Sequence, residues 1–533
     1  MKRTRIQRIS LLAAIMGTFV VGLDATVVNV ALPAIEEDLG GGLAGQQWIS
    51  NGYLLALASL ILIGGSLGDV FGERRVFSIG VLGFGVSSIV CAVAPTIEVI
   101  VAGRVLQGMF GALLSPAALA VIVTAFPPAQ RGAAVGSWTA WAGIATVVGP
   151  LVGGQLIDAF SWRWIFALNV PFIALTLVLV AMAVPQRERL GARPPIDWPG
   201  ALLSFLALAG PTLALIRQPQ SGWGAPDVIL PGLGGIAFFA VFLWREATTR
   251  YPMLPLELFS RRNFSAANLQ TFAMYAGLSV LFFYLVLFLQ QVAGYDALEA
   301  GIATLPTTAV MLLLSKRAGA MADRYGARWF MGGGGLLAAC GQLLLLRVDA
   351  DADYVTQLLP ALLVFSLGLS MTVAPLTATV LADADAEHAG IASGTNNAIA
   401  RAAGLLGVAA LGAVIAAQFA GTLDDQLAGV PLTPRGEAAV AQAKSRTLAR
   451  ADVSGLPTRE AVEIARATEV ASVSAFHTGM GISAALVALG GILGLVLVRS
   501  PRREVSCAGC PGGQLVGAPE EAARERAHVA VAA

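Results

Sequence analysis

Apolar stretches of about twenty residues recur along nearly the whole chain, and no other feature constrains the fold as strongly. They fall near 10–32, 46–67, 76–94, 97–121, 133–157, 162–184, 197–217, 227–244, 264–290, 299–315, 329–347, 355–379, 390–418 and 476–498. A helix of about 20 residues spans the roughly 30 Å hydrocarbon core of a bilayer, and lipid offers backbone polar groups no partner outside the helix. Fourteen membrane helices are therefore expected, in an all-α polytopic protein. Composition agrees. Only 13% of the residues are charged, against about 25% in soluble domains. The net charge of +1 and the lack of a basic cluster interleaved with aromatics give no sign of a nucleic-acid partner.

One short hairpin occurs twice. GSLGDVFGERR, Gly65 to Arg75, places Gly65, Asp69 and Gly72 at spacings of four and three, followed by Arg74 and Arg75. GAMADRYGAR repeats the spacing with Gly319, Asp323 and Gly326, with Arg328 behind. Gly and Asp are ordinary turn formers, which accounts for one copy. Two copies at equivalent places, each after the second apolar run of its half, predict two related helical bundles.

Orientation follows from Lys and Arg in the short connections. With the N-terminus inside, the inner connections hold Arg74, Arg75, Arg131, Arg187, Arg189, Arg193, Arg245, Arg250, Arg261, Arg262, Lys316, Arg317, Arg324 and Arg328. The short outer ones hold Arg163, Arg217 and Arg347. Both ends are thus expected to be cytoplasmic, in a multi-pass protein of the cell (plasma) membrane. The basic start with Lys2, Arg3, Arg5 and Arg8 resembles a signal peptide, but its apolar run is too long and carries Asp24, so a retained first helix is expected. The polar segment at about 420–475 falls outside, and its Ala-rich part from Arg435 to Glu469 can form amphipathic helix. Cys91 and Cys340 lie in apolar runs, where a small buried hydrophobe is expected. Cys507 and Cys510 form one CxxC in the tail, without the second ligand pair of a structural zinc. No metal site is expected.

Chemistry is expected where charge interrupts the apolar runs. Asp24, in LDATVVNVALP, is an intramembrane carboxylate, which is costly and by default functional. The other reading is a residue near the outer interface with access to water. Arg104, in GRVLQGMFGA of the fourth helix, is expected at the same depth, and opposite charges at one depth offset each other's desolvation if their helices are neighbours. Gln107 adds an amide on the same face. In the fifth helix Pro150 removes a backbone hydrogen bond and predicts a bend, while Gly149 and Gly153, followed by Gly154, offer close approach to another helix. In the second half Arg401 falls near the middle of the thirteenth helix, with Asn396 and Asn397 a turn earlier. Asp296 and Glu299 lie at the outer end of the tenth helix, where solvated loop is expected, and His388 and His477 lie near helix ends. Trp162 and Trp164 flank Arg163 as an interfacial anchor.

These motifs together resemble the major facilitator superfamily. The Gly65 to Arg75 hairpin is similar to its signature between the second and third helices. Arg104 with Gln107 and Gly108 is similar to its fourth-helix motif, and Ala145 to Gly154 resembles the antiporter signature of its exporters. LDATVVNVALP, WRWIFALNVPF at 162–172 and the count of fourteen point to the fourteen-helix drug:proton antiporter branch. Val70, Glu73 and Ala145 depart from the usual patterns. The resemblance implies an N-terminal six-helix bundle (1–185), two inserted helices (186–260), a C-terminal bundle (261–500) and a cytoplasmic tail (501–533). It implies proton coupling through Asp24 and Arg104, and a substrate cavity with Asn29, Gln107, Asn396, Asn397 and Arg401. Conformational gating falls to Gly65, Asp69, Gly72, Arg74, Arg75, Gly149, Pro150, Gly153, Gly154, Gly319, Asp323, Gly326 and Arg328, with Asp69 facing the thirteenth helix near His388. The expected activity is export of small amphipathic organic compounds such as drugs and antibiotics in exchange for protons. The expected protein is a monomer in the bilayer, with no cofactor and no enzymatic activity. A GxxxxGK[ST] loop is absent, which leaves a proton gradient as the energy source. A transporter dedicated to one metabolite, siderophore or lipid, and a non-transporting receptor or scaffold, are the alternatives.

Overall fold

A computed structural model describes residues 4–184, 196–382, 389–448 and 450–499. Among the described residues there is no strand, and the chain is helical almost throughout. The helices are α1 (Arg5–Leu39), α2 (Gly42–Phe71), α3 (Glu73–Ala92), α4 (Ile97–Ala125), α5 (Pro128–Ala159), α6 (Arg163–Ala167) and α7 (Asn169–Ala183). Then follow α8 (Trp198–Ser221), α9 (Pro226–Thr248), α10 (Arg262–Gln291), α11 (Ala297–Tyr325), α12 (Ala327–Leu344), α13 (Leu359–Ala382), α14 (Ala389–Gln426), α15 (Pro434–Ser445) and α16 (Thr458–Leu497). Thirteen of the described spans are long and apolar enough to cross a membrane, with α6 and α7 counted as one. α5 is not in that set, although it runs 32 residues between α1 and α11.

Helix ends differ from the apolar runs for local reasons. α1 starts at Arg5 because Thr4 and Gln7 form a capping box, which satisfies amides at the N-terminus. α16 starts well before the apolar run at 476–498, because Ile464, Ala467 and Ala471 already pack into the main core. His477 consequently sits inside a helix and not near its end, with Nε2 2.7 Å from the Val348 carbonyl. The segment at about 420–475 is folded. α14 continues to Gln426, and α15 packs Val440 and Ala443 against the core that holds Ile464. Thr433 caps α15, and the Glu460 carboxylate accepts from the Thr433 amide at 2.7 Å.

The two hairpins of the repeat share one backbone. Gly72 has φ 91 and ψ 135, and Gly326 has φ 102 and ψ 128. Each ends one helix and starts the next, and positive φ at both explains the glycine. The repeat extends to packing. In the first half α2 lies on α4, α3 on α4, α1 on α5 and α1 on α7. In the second half the corresponding contacts are α11 on α13, α12 on α13, α10 on α14 and α10 on α16. The α8–α9 hairpin packs on α2 and α14, one helix from each half.

The assembly has two ends. At the terminal end Gln7 donates to the Ala125 carbonyl, Thr124 to Glu73, and Arg262 to the Leu497 carbonyl. At the far end polar contacts join the halves. Gln290 donates to the Val30 carbonyl at 3.0 Å, and Gln47 donates to Tyr284 and to the Val408 carbonyl. Asp158 accepts from the Leu298 amide at 3.0 Å, a carboxylate at a helix N-terminus. Arg446, just after α15, pairs with Glu36 at 3.0 Å.

Candidate functional site

Five polar side chains from four helices meet in the interior of the first half. Asp24 of α1, Ser88 of α3, Gln107 of α4 and Asn169 of α7 have no exposed surface, and Arg104 of α4 is 2% exposed. Arg104 Nη1 donates to Asp24 Oδ2 at 2.5 Å and to Gln107 Oε1 at 2.8 Å. The Asn169 amide donates to Asp24 Oδ1 at 3.0 Å, and the Gln107 amide donates to the same oxygen at 3.3 Å. Ser88 Oγ accepts from Gln107 and Asn169. Arg104 Nε donates to the Ile49 carbonyl of α2 at 3.1 Å, and its guanidinium lies 4.3 Å from the Tyr53 ring centroid.

The chemistry of this cluster is that of a compensated buried charge. Asp24 is the acceptor of three N–H donors, and Arg104 has a carboxylate, an amide oxygen, a carbonyl and an aromatic face. Removing one partner of such a pair costs about 3–5 kcal/mol, because the other charge stays buried. A proton that reaches Asp24 Oδ2 must displace the guanidinium.

The two charges expected at one depth thus meet directly, and water access at an outer interface does not describe Asp24. Gln107 does not line a cavity: it is fully buried, and both hydrogens of its amide have partners in the cluster. Asn396 is turned into the second half, where it donates to Asn268 and Thr271 of α10. Asn397 is exposed and donates to the Ser393 carbonyl of its own helix. Asn29 and Arg401 are half-buried. Arg401 has a buried Nε without a partner and lies within electrostatic range of Tyr53 in the first half and Tyr275 in the second.

The gating residues divide. Gly149 and Gly153 bring α5 onto α1: an added Cβ would lie 2.1 Å from Thr26 Oγ1 and 2.1 Å from Val27 Cγ2 respectively. Gly154 faces the other half, where its Cβ would come 2.4 Å from Leu298 Cα. Gly301 of α11 answers it, with a Cβ 2.7 Å from the Pro150 carbonyl oxygen. The helix assignment continues unbroken through Pro150. Gly65 faces Pro116 of α4, and Gly319 faces Ala374 of α13. Arg74 donates to the Ala181 carbonyl, while Arg75 and Arg328 are exposed. The side chains of Asp69, Asp323 and Arg131, and the whole of His388, Cys507 and Cys510, lie outside the described residues.

Three other expectations change. Trp162 is buried, donating to Asp38 at 3.0 Å under the Arg163 guanidinium, and only Trp164 points outward. Cys91 is buried as expected, but Cys340 is exposed on the outside of the helix bundle. Asp296 and Glu299 form the capping box of α11, an ordered helix start with both residues exposed.

Sequence reading missed Asn169 and Ser88. Asn169 carried a signal, a lone amide in the apolar run of WRWIFALNVPF. Ser88 carried none, since small hydroxyls are common in membrane helices and usually bond their own backbone.

Comparison with known proteins adds to the geometry. The Major Facilitator Superfamily profile matches residues 14–408. A tetracenomycin C resistance and export protein of Streptomyces glaucescens is 34% identical over 483 residues, covering 89% of this chain and 88% of that protein. A puromycin resistance protein of Streptomyces alboniger is 35% identical, covering 78% and 83%. A methylenomycin A resistance protein of Bacillus subtilis is 32% identical, covering 76% and 87%. Among solved structures, a bacterial homolog of the human lysosomal transporter Spinster superposes with a TM-score of 0.64 at 16% identity, covering 94% of this chain and 98% of that one.

Proposed function

Because this chain belongs to the major facilitator superfamily, we propose that it is a secondary transporter that exports amphipathic organic compounds, antibiotics among them, in exchange for protons. The observation that carries the reading is the buried Asp24–Arg104 pair, held by Gln107, Asn169 and Ser88 inside one half of a two-half helical protein. Its relatives are named for antibiotic resistance, and one of them for export as well. In this reading the two bundles, 1–185 and 261–500, rock about a central cavity, with α8 and α9 inserted between them and α5 as the fourteenth membrane helix. The far end is extracellular, both termini are cytoplasmic, and the protein works as a monomer in the plasma membrane.

The proposed cycle uses the competition at Asp24. A proton entering from outside takes Oδ2 and frees Arg104, whose buried charge then favours a conformation that gives it water or a new acceptor. Deprotonation toward the cytoplasm restores the ion pair. Arg401, with no counter-charge among the described residues, lies within electrostatic range of Tyr53 across the seam between the halves and supplies a positive group at the substrate site. No ATP enters the cycle; the proton gradient supplies the energy.

Expression in a drug-sensitive host tests this reading. Accumulation of an exported antibiotic should fall several-fold and return to the control level with a protonophore. Accumulation that stays low with the gradient collapsed would exclude proton exchange. A narrower reading, export of one compound only, is favoured by relatives named for single antibiotics. A resistance profile confined to one chemical class would select it.

A further inference from the structure

The foot of the α8–α9 hairpin holds a second pair of buried acids, separate from the Asp24 cluster. Asp197 precedes α8 and is 8% exposed; Glu246 lies in the last turn of α9 and is 3% exposed. One oxygen of each is well supplied. Asp197 Oδ1 accepts from the Gly200 amide at 3.0 Å, from Arg245 Nε at 2.9 Å and from Arg245 Nη2 at 2.7 Å. Glu246 Oε2 accepts from the Leu254 amide at 2.8 Å, where the chain after α9 folds back.

The other two oxygens have no donor among the described residues. Asp197 Oδ2 and Glu246 Oε1 are both buried and unpartnered. They converge: a Cβ on Gly200 would lie 2.5 Å from the first and 2.8 Å from the second. The two carboxyls are in side-chain contact. They border a cavity of about 530 Å³ that the fold-back loop forms against Ile63 of α2 and Ile391 of α14.

Charge balance identifies what is missing. Among the described residues, two carboxylates face one guanidinium, Arg245, whose Nε and Nη2 both donate to Asp197 Oδ1. The other charged groups on the cavity, Arg250 and Glu257, offset each other. Ile63 and Ile391, from the two packed helices, bring no charge. One proton between Oδ2 and Oε1 removes the repulsion, supplies the absent donor and leaves the triad neutral. We propose that Asp197 and Glu246 form a proton-binding carboxyl pair at the foot of the α8–α9 hairpin, outside both six-helix bundles. The cavity gives the proton its path, and loss of that proton loosens the loop that the Glu246 carboxylate holds.

Two measurements on the purified full-length protein test this without transport, so their failure is distinct from failure of the export reading. Infrared difference spectra between acid and alkaline pH should show a protonated-carboxyl stretch that is lost as pH rises. The band should be missing in both Glu246→Gln and Asp197→Asn. The apparent melting temperature should also fall with rising pH, because the shared proton stabilises the folded form and is given up as pH climbs. In Glu246→Gln a permanent amide donor replaces the proton, so the curve should flatten. The unfolding equilibrium of wild type should then shift by up to about tenfold per pH unit relative to that variant, as one proton dictates. Unchanged difference bands in both variants, or a Glu246→Gln melting curve parallel to wild type, would overturn the proposal. Should Glu246→Gln fail to fold, the Asp197→Asn spectrum against wild type decides alone.

Discussion

The two halves pair their helices in the same pattern but fill the middle differently. In the first, α1, α3, α4 and α7 converge on an ion pair with two amides and a hydroxyl. In the second, the corresponding α10, α12 and α16 converge on neutral groups. Ser483 Oγ lies 2.8 Å from the Gly277 carbonyl and 3.1 Å from Gln342 Oε1, and the Gln270 amide donates to the Met331 carbonyl. A shared skeleton therefore does not require shared chemistry. Helix packing needs only small residues and satisfied backbones, and the neutral half shows that this suffices. The charges in the first half exceed what packing needs, which is why a function is assigned to them.

Breaking the ion pair should have the largest effect. Asp24→Asn keeps the shape but leaves the Arg104 charge without its counter-ion. About 3–5 kcal/mol of stability should be lost, and gradient-driven export should drop below about a tenth of wild type. Adding Arg104→Gln should recover most of the stability and none of the transport, since both charges are then gone. Thermal melting and efflux from proteoliposomes read the two quantities separately. If Asp24→Asn exports at the wild-type rate, the comparison between charged and neutral halves says nothing about coupling.

The glycines of α5 sharpen the comparison in another way, because neighbours in sequence serve different contacts. A methyl at Gly149 crowds Thr26 within the first half, and a methyl at Gly154 crowds Leu298 across the seam. Overpacking costs about 1–3 kcal/mol. At Gly149 that cost falls on every conformation of the half alike. At Gly154 it falls only on the conformation with the far end closed, so Gly154→Ala should shift the balance about tenfold toward opening there, roughly 1.4 kcal/mol per tenfold. Crosslinking of Val30→Cys with Gln290→Cys, in a background without Cys91, Cys340, Cys507 and Cys510, reports closure. The yield should fall in Gly154→Ala and hold in Gly149→Ala. Equal yields would show that the α5–α11 contact does not set the balance.

How far the sequence carries such arguments depends on the kind of residue. Asp24 and Arg104 were legible because a charge in an apolar run is conspicuous, and because depth follows from counting residues along a helix. The hairpin glycines were legible from their repeated spacing. Gln107 was assigned to a cavity it does not line, and Asn396 bonds into α10: residue counting gives depth but not which neighbouring helix a face meets. Asn169 and Ser88 were hidden for the same reason, as neutral groups whose partners come from other helices. The helix of α15 was legible in an Ala-rich stretch, but its docking was not, since the polarity of the segment does not say that Val440 and Ala443 meet the core. Asp197 and Glu246 were invisible. Each lies at a helix end, where a carboxylate ordinarily meets water, and only the hairpin brings the two together.

The smallest effect should come from the neutral half, and it tests the contrast from the other side. Ser483→Ala removes one buried hydroxyl, whose single hydrogen serves either the Gly277 carbonyl or Gln342 Oε1. A neutral buried hydrogen bond is worth about 0.5–1.5 kcal/mol net, so melting should fall by a few degrees at most. No charge is left unbalanced, and nothing at Ser483 competes for a proton. Export should accordingly stay within about twofold of wild type, with an unchanged dependence on the pH gradient. The same proteoliposomes used for Asp24→Asn serve here, and the informative quantity is the ratio of transport loss to stability loss. That ratio should be large for Asp24→Asn and near nothing for Ser483→Ala. A Ser483→Ala protein that folds normally but no longer responds to the gradient would place part of the coupling in the second half, and the neutral core there would have to be counted as machinery.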